Sequence, residues 1–163
     1  MTDRILVRDI ASKAGQTVSI HGWLHKKRLL GGLNFITLRD RSGVAQSLID
    51  NKDEVEKLRG MQIGTVLVLT GTVVADERAP GGAELHDVTV EVTVPVTEEP
   101  PIEIDKPLGH EPDNLDTLFE NRVLGLRNLR EQTIFKVQAK VLESARAYFK
   151  ENEFTEMNTP KLL

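Results

Sequence analysis

From Thr17 to Leu24 the chain runs TVSIHGWL, with apolar and polar positions alternating at a period of two, the pattern of a half-buried strand. LNFITLRD (Leu33–Asp40) alternates again, RSG (Arg41–Gly43) supplies a tight turn, and VAQSLID predicts the returning strand of a hairpin. DEVEKLRGM opens on acidic residues, carries Lys57 and Arg59 later and has Gly60 near its end, which predicts a short helix. Two more β-rich segments follow, VLVLTGTVVA (Val66–Ala75) and ELHDVTVEVTV (Glu84–Val94), joined by the turn region DERAPGG.

Five strands with one helix between the third and the fourth is the order of an OB-fold, an all-β Greek-key barrel whose exposed face commonly binds oligonucleotides. Residues 1–97 are assigned to this barrel. Prolines then accumulate: Pro95–Asn114 contains five of the chain's seven, and residues 98–116 are read as a hinge because proline offers no ladder donor. Residues 117–163 form the third region. LDTLFENRVLGLRN suits a helical hairpin segment, and EQTIFKVQAKVLESARAYFKEN (Glu131–Asn152) places Ile134, Val137, Val141, Leu142, Ala145 and Phe149 on one stripe of an amphipathic helix. The terminal FTEMNTPKLL reads as strand-like.

Phase decides the setting of Phe35. The period places it with Leu33 and Thr37, opposite Asn34, Ile36 and Leu38. Ile36 and Leu38 are the better core pair, so the ring is expected on the outer face. Only 4% of the residues are aromatic, and this one stands between two basic clusters, KKR at Lys26–Arg28 and RDR at Arg39–Arg41. A net charge of −4 argues against non-specific coating of nucleic acid, which rests on Lys and Arg neutralising phosphates. A few basic side chains beside one aromatic fit selective contact with a few nucleotides.

Other chemistry is thinly represented. The absence of cysteine excludes disulfides and thiolate chemistry, and the four histidines (His21, His25, His86, His110) lack metal-ligand spacing. No apolar run approaches the roughly 18 residues of a membrane helix, and the N-terminus has no signal-peptide pattern, so a cytoplasmic protein is expected. No nucleophile–base pair, paired carboxylates or phosphate-binding glycine loop is apparent.

VSIHGWL, LLGGLNFITLRDRSGVAQ, NLDTLFENRVLGLRN and FKENEFTEMNTPKLL together resemble the N-terminal part of an aspartyl-tRNA synthetase. The resemblance implies an anticodon-binding OB-fold, a hinge, and the first helix and strand of a class II catalytic domain. It assigns Phe35 to stacking on the central anticodon base, Gln46 to its edge, Arg28 to the anticodon backbone and Glu84 to a further anticodon base. Stacking plus polar contacts to exposed edges is how unpaired loop bases are read. Relaxed members of the family, which serve both tRNA(Asp) and tRNA(Asn), tend to carry His and Pro where restricted archaeal-type members carry Trp and Lys. This chain has His25 and Pro80 there.

FTEMNTPKLL is similar to class II motif 1, which puts Pro160 at the dimer interface of the parent enzyme. Two positions depart from the family pattern: Glu153 replaces a glycine, leaving Asn152 to take the left-handed conformation at the helix end, and Gly125 replaces an aspartate. Motifs 2 and 3 have no counterpart in these 163 residues, so ATP and Mg²⁺ belong to the parent and no cofactor is expected in this chain. Neither a membrane nor DNA is an expected partner. The alternatives are a fragment of an asparaginyl-tRNA synthetase, a generic single-strand-binding OB module, and a protein that pairs with itself through the Glu131–Asn152 stripe.

Overall fold

The alternation of Asn34–Arg39 is realised as the strand β3: Asn34, Ile36 and Leu38 are buried while Phe35 and Thr37 are half-buried. The computed structural model describes residues 3–105 and 115–160, except for the side chains of residues 129 and 130. It contains β1 (Arg4–Ile5), β2 (Thr17–Leu29), β3 (Asn34–Arg39), β4 (Val44–Leu48), the helix α1 (Lys52–Arg59), β5 (Val66–Ala75) and β6 (Ala83–Val94). The sheet order β1-β2-β3-β4-β6-β5, with β2 also paired to β5, closes a barrel of five long strands with β1 added at its side. Ile20, Leu24, Ile36, Leu38, Leu67, Leu69 and Leu85 fill it.

β2 can serve two partners because it is long and changes course. Its first half pairs with β5 from Thr17↔Thr72 to Trp23↔Val66, and its second half pairs with β3 as far as Leu29↔Asn34. His25 is the extra residue of a bulge between Leu24↔Leu38 and Lys26↔Thr37. At Gly22 the strand lies tight against β3: a Cβ there would stand 2.2 Å from the Arg39 carbonyl oxygen. Gly71 marks a second irregularity, between Thr70 and Thr72, where a Cβ would come within 2.6 Å of the His86 carbonyl oxygen.

Lys27 departs from the reading of KKR as one basic cluster. It faces away from Lys26 and Arg28, and its Nζ donates to the carbonyls of Leu58 (3.3 Å), Arg59 (2.8 Å) and Met61 (2.6 Å). It therefore caps the C-terminal end of α1, where backbone oxygens lack helical partners. Burial lowers its pKa. At the N-terminal end, the Asn51 carboxamide oxygen accepts from the Asp53 N–H at 2.8 Å.

Asp40 organises the β3–β4 turn. Its Oδ1 accepts from Ser42 N and Oγ (both 2.6 Å) and from Gly43 N (3.1 Å), while Oδ2 accepts from Val7 N at 3.0 Å. Desolvation opposes the charge, but these donors together hold the pKa below the usual carboxylate value. A depressed folded pKa stabilises the fold above the unfolded pKa, roughly pH 4, and that contribution is lost as pH falls through the folded value. Asp40→Asn should be less stable at neutral pH by about 1 kcal/mol after allowance for solvent screening. Denaturant unfolding from neutral to acid pH should show that deficit shrinking once pH drops below roughly 4.

The chain divides into two units, Met1–Asp105 and Lys106–Leu163. Ile102 and Ile104, within the stretch expected to be a hinge, are buried. The second unit contains α2 (Leu115–Glu120), α3 (Arg122–Gly125) and α4 (Leu129–Glu151). The predicted stripe of α4 is exposed along its length. Phe154–Pro160 forms no strand, contrary to expectation, because among the described residues no strand pairs with its backbone; the rest of that segment, 161–163, lies outside the described residues. The end of α4 also differs from expectation. Glu153, not Asn152, takes the left-handed conformation (φ 64°), and Phe154 N donates to Phe149 O, as in a Schellman cap.

Candidate nucleic-acid interface

Residues directly opposite one another in paired strands share a face, so register alone assembles the outer surface of β2, β3 and β4. One row reads Arg28↔Phe35↔Leu48 and the next Lys26↔Thr37↔Gln46↔Glu84. Arg28 is exposed and Phe35 half-buried, so the ring presents part of its surface outward with a guanidinium opposite it on the neighbouring strand. A ring beside a cation suits stacking against a nucleobase whose phosphate lies close by.

Gln46 and Glu84 meet across the parallel β4–β6 junction, where the pairs are Gln46↔Glu84 and Ser47↔Leu85. Gln46 Nε2 donates to Glu84 Oε2 at 2.8 Å. The other carboxylate oxygen, Oε1, lies 2.8 Å from His86 Nε2. Glu84 is only 6% exposed, so its carboxylate sits beneath its neighbours and orients them. The resemblance gives Glu84 a base contact of its own; in this structure its two carboxylate oxygens meet Gln46 and His86. Sequence reasoning does not single out His86, although the i, i+2 spacing of Glu84 and His86 in ELHD already puts both on one face of a strand.

His25 and Pro80 occupy separate places. His25, in the β2 bulge, is half-buried; desolvation, then the Arg39 charge, lowers its pKa, with Asp105 pulling the other way and Lys26 adding to the lowering. These effects disfavour the charged form of its imidazole, which stands one residue from the Lys26–Thr37–Gln46 row. Pro80 is exposed in the β5–β6 connection. There Asp76 accepts from the Arg78 backbone N–H (2.9 Å) and pairs with its guanidinium (2.9 Å). Pro160, in the second unit, is exposed.

Comparison with known proteins adds to this geometry. The profile of the OB-fold nucleic acid binding domain matches residues 18–99, and that of class II tRNA synthetases (D, K and N) matches residues 114–163. An aspartate–tRNA(Asp/Asn) ligase of Archaeoglobus fulgidus is 36% identical over 98% of this chain and 38% of its own length. The protein of the same name from Thermus thermophilus is 39% identical over 98% of this chain and 36% of its own. Among solved structures, asparaginyl-tRNA synthetase from Pyrococcus horikoshii superposes with a TM-score of 0.82 at 27% identity, over 98% of this chain and 38% of that one. Aspartyl-tRNA synthetase from Entamoeba histolytica shares the fold at a TM-score of 0.81 and 21% identity, over 99% of this chain and 40% of that one. The chain thus spans well under half the length of the curated relatives it matches.

Proposed function

The chain belongs to the OB-fold anticodon-binding family joined to class II tRNA synthetase domains of the D, K and N group, and from that premise we propose that it reads the anticodon loops of tRNA(Asp) and tRNA(Asn). The observation that carries the reading is the outer face on which Phe35 and Arg28 lie beside Gln46, itself held by the buried Glu84. Phe35 stacks on the central base, Gln46 meets its edge, and Arg28 faces the backbone. His25 and Pro80 relax the choice between the two tRNAs, in keeping with relatives named for both.

The division of labour follows from which residues are present. These 163 residues bind, and the whole enzyme activates aspartate with ATP and Mg²⁺ and esterifies tRNA as a homodimer, with Pro160 at the subunit interface. The curated relatives carry the aspartate name, which favours this branch over asparagine ligation.

Equilibrium binding of RNA anticodon stem-loops at physiological salt tests the reading. The tRNA(Asp) loop should bind better than a scrambled loop of the same length, and Gln46→Ala should weaken it about tenfold, as expected for one polar contact to a base edge. Equal binding of the scrambled loop would make the barrel a generic single-strand module instead.

A further inference from the structure

A carboxylate accepts hydrogen bonds and cannot donate them. Glu84 turns one oxygen to Gln46 at 2.8 Å and the other to His86 at 2.8 Å. The carboxamide therefore has to present its NH₂ to Glu84, which leaves Gln46 Oε1 as the group facing outward. On the other side, Nε2 of His86 has to carry the hydrogen that meets the carboxylate. The three side chains form one chain of hydrogen bonds, and its central member is buried.

The backbone holds His86 in this arrangement. It pairs with Thr72 just beyond the β5–β6 register shift at Gly71, and the next residue, Asp87, takes the left-handed conformation (φ 50°). A non-glycine residue there is uncommon and persists only where its surroundings require it. Asp76 and Arg78, on the connection that precedes β6, place their charges near His86 and Glu84 respectively.

We infer that His86 is a positioning residue for anticodon reading: through Glu84 it fixes the Gln46 carboxamide with its oxygen outward, so that the site selects a base edge offering an N–H. The inference rests on the function proposed above. With His86 in place, Glu84 is anchored at both oxygens and the carboxamide has one orientation. Without it, the carboxylate turns away from Gln46, the carboxamide presents either end, and the distinction between donor and acceptor edges fades.

The test uses stem-loops with each of the four bases at the central anticodon position, bound to the 163-residue chain. For the wild type the affinities should spread widely. His86→Ala should compress the spread about tenfold, mainly by losing the preferred loop. His86→Gln carries a nitrogen donor the same number of bonds from Cβ as Nε2 and should restore the spread; the shorter His86→Asn should behave as His86→Ala does. Thermal melts of all variants should coincide within a few degrees. An unchanged spread in His86→Ala, or equal weakening of all four loops, would overturn the inference. A wild type that binds none of the loops would instead overturn the functional reading itself.

Discussion

Phe35→Ala should weaken binding of the tRNA(Asp) anticodon stem-loop roughly 5- to 150-fold while leaving the barrel folded. The magnitude follows from the roughly 1–3 kcal/mol that base–aromatic stacking contributes, at about 1.4 kcal/mol per tenfold in affinity. The separation of binding from folding follows from position. The ring sits half-buried on the outer face of β3, between Arg28 and Leu48, while Ile36 and Leu38 point inward from the same strand. Removal exposes some aliphatic surface but opens no interior cavity, so the melting temperature should fall by only a few degrees. Phe35→Trp should retain most of the affinity and Phe35→Leu little, because area alone does not replace a flat π-face. Unchanged affinity in Phe35→Ala would remove the ring from the recognition surface.

Gly22→Ala carries the largest expected cost to folding. The added Cβ would lie 2.2 Å from the Arg39 oxygen, 2.8 Å from its carbonyl carbon and 3.2 Å from Leu38 Cγ. Two of those atoms are backbone of the strand to which β2 is bonded, so relief requires parting β2 from β3 where the barrel bends. Overpacking and backbone displacement of this kind cost about 3 kcal/mol or more. That is a large part of the roughly 5–15 kcal/mol that holds a domain folded, and corresponds to a fall of some 10–25 °C in Tm. Gly60→Ala is the matched control. Gly60 ends α1 at φ −82°, and no atom lies within 4 Å of the place its added methyl would take, so its melt should shift little. A Gly22→Ala melt as high as that of Gly60→Ala would show that the two strands approach less closely than described.

Five strands are legible in the sequence, two from alternation at period two, one as the return of a hairpin after RSG and two from β-rich composition, and the period sets Phe35 outward against Ile36 and Leu38. β1 escapes the rule because two residues display no period. The far half of β2, HKKRL, is hidden because its bulge at His25 resets the phase and because four of its five residues are polar. Lys27 reads as one charge among three in sequence. Only the folded chain shows that it faces the end of α1.

The site divides in the same way. Phe35, Gln46, Arg28 and Glu84 are each nameable from their resemblance to a family, but not the bond between Gln46 and Glu84, which are 38 positions apart. That bond depends on a parallel pairing, and no local pattern announces which strands close a barrel. His86 joins the site only through that closure. At Glu153 the family's glycine marks a left-handed position, but glutamate itself disfavours that conformation, which is why the turn is expected one residue earlier, at Asn152.

The parallel junction of β4 and β6 is two residue pairs long, and one of those pairs is Gln46 with Glu84. That junction is the latch of the cylinder, and the side-chain bond between Gln46 and Glu84 lies on it. A ligand that grips the Gln46 edge also grips the latch, and by mass action it favours the closed form over any frayed one. On the proposed reading, binding then doubles as a fastening, since parting β6 from β4 also breaks the bond between Gln46 and Glu84.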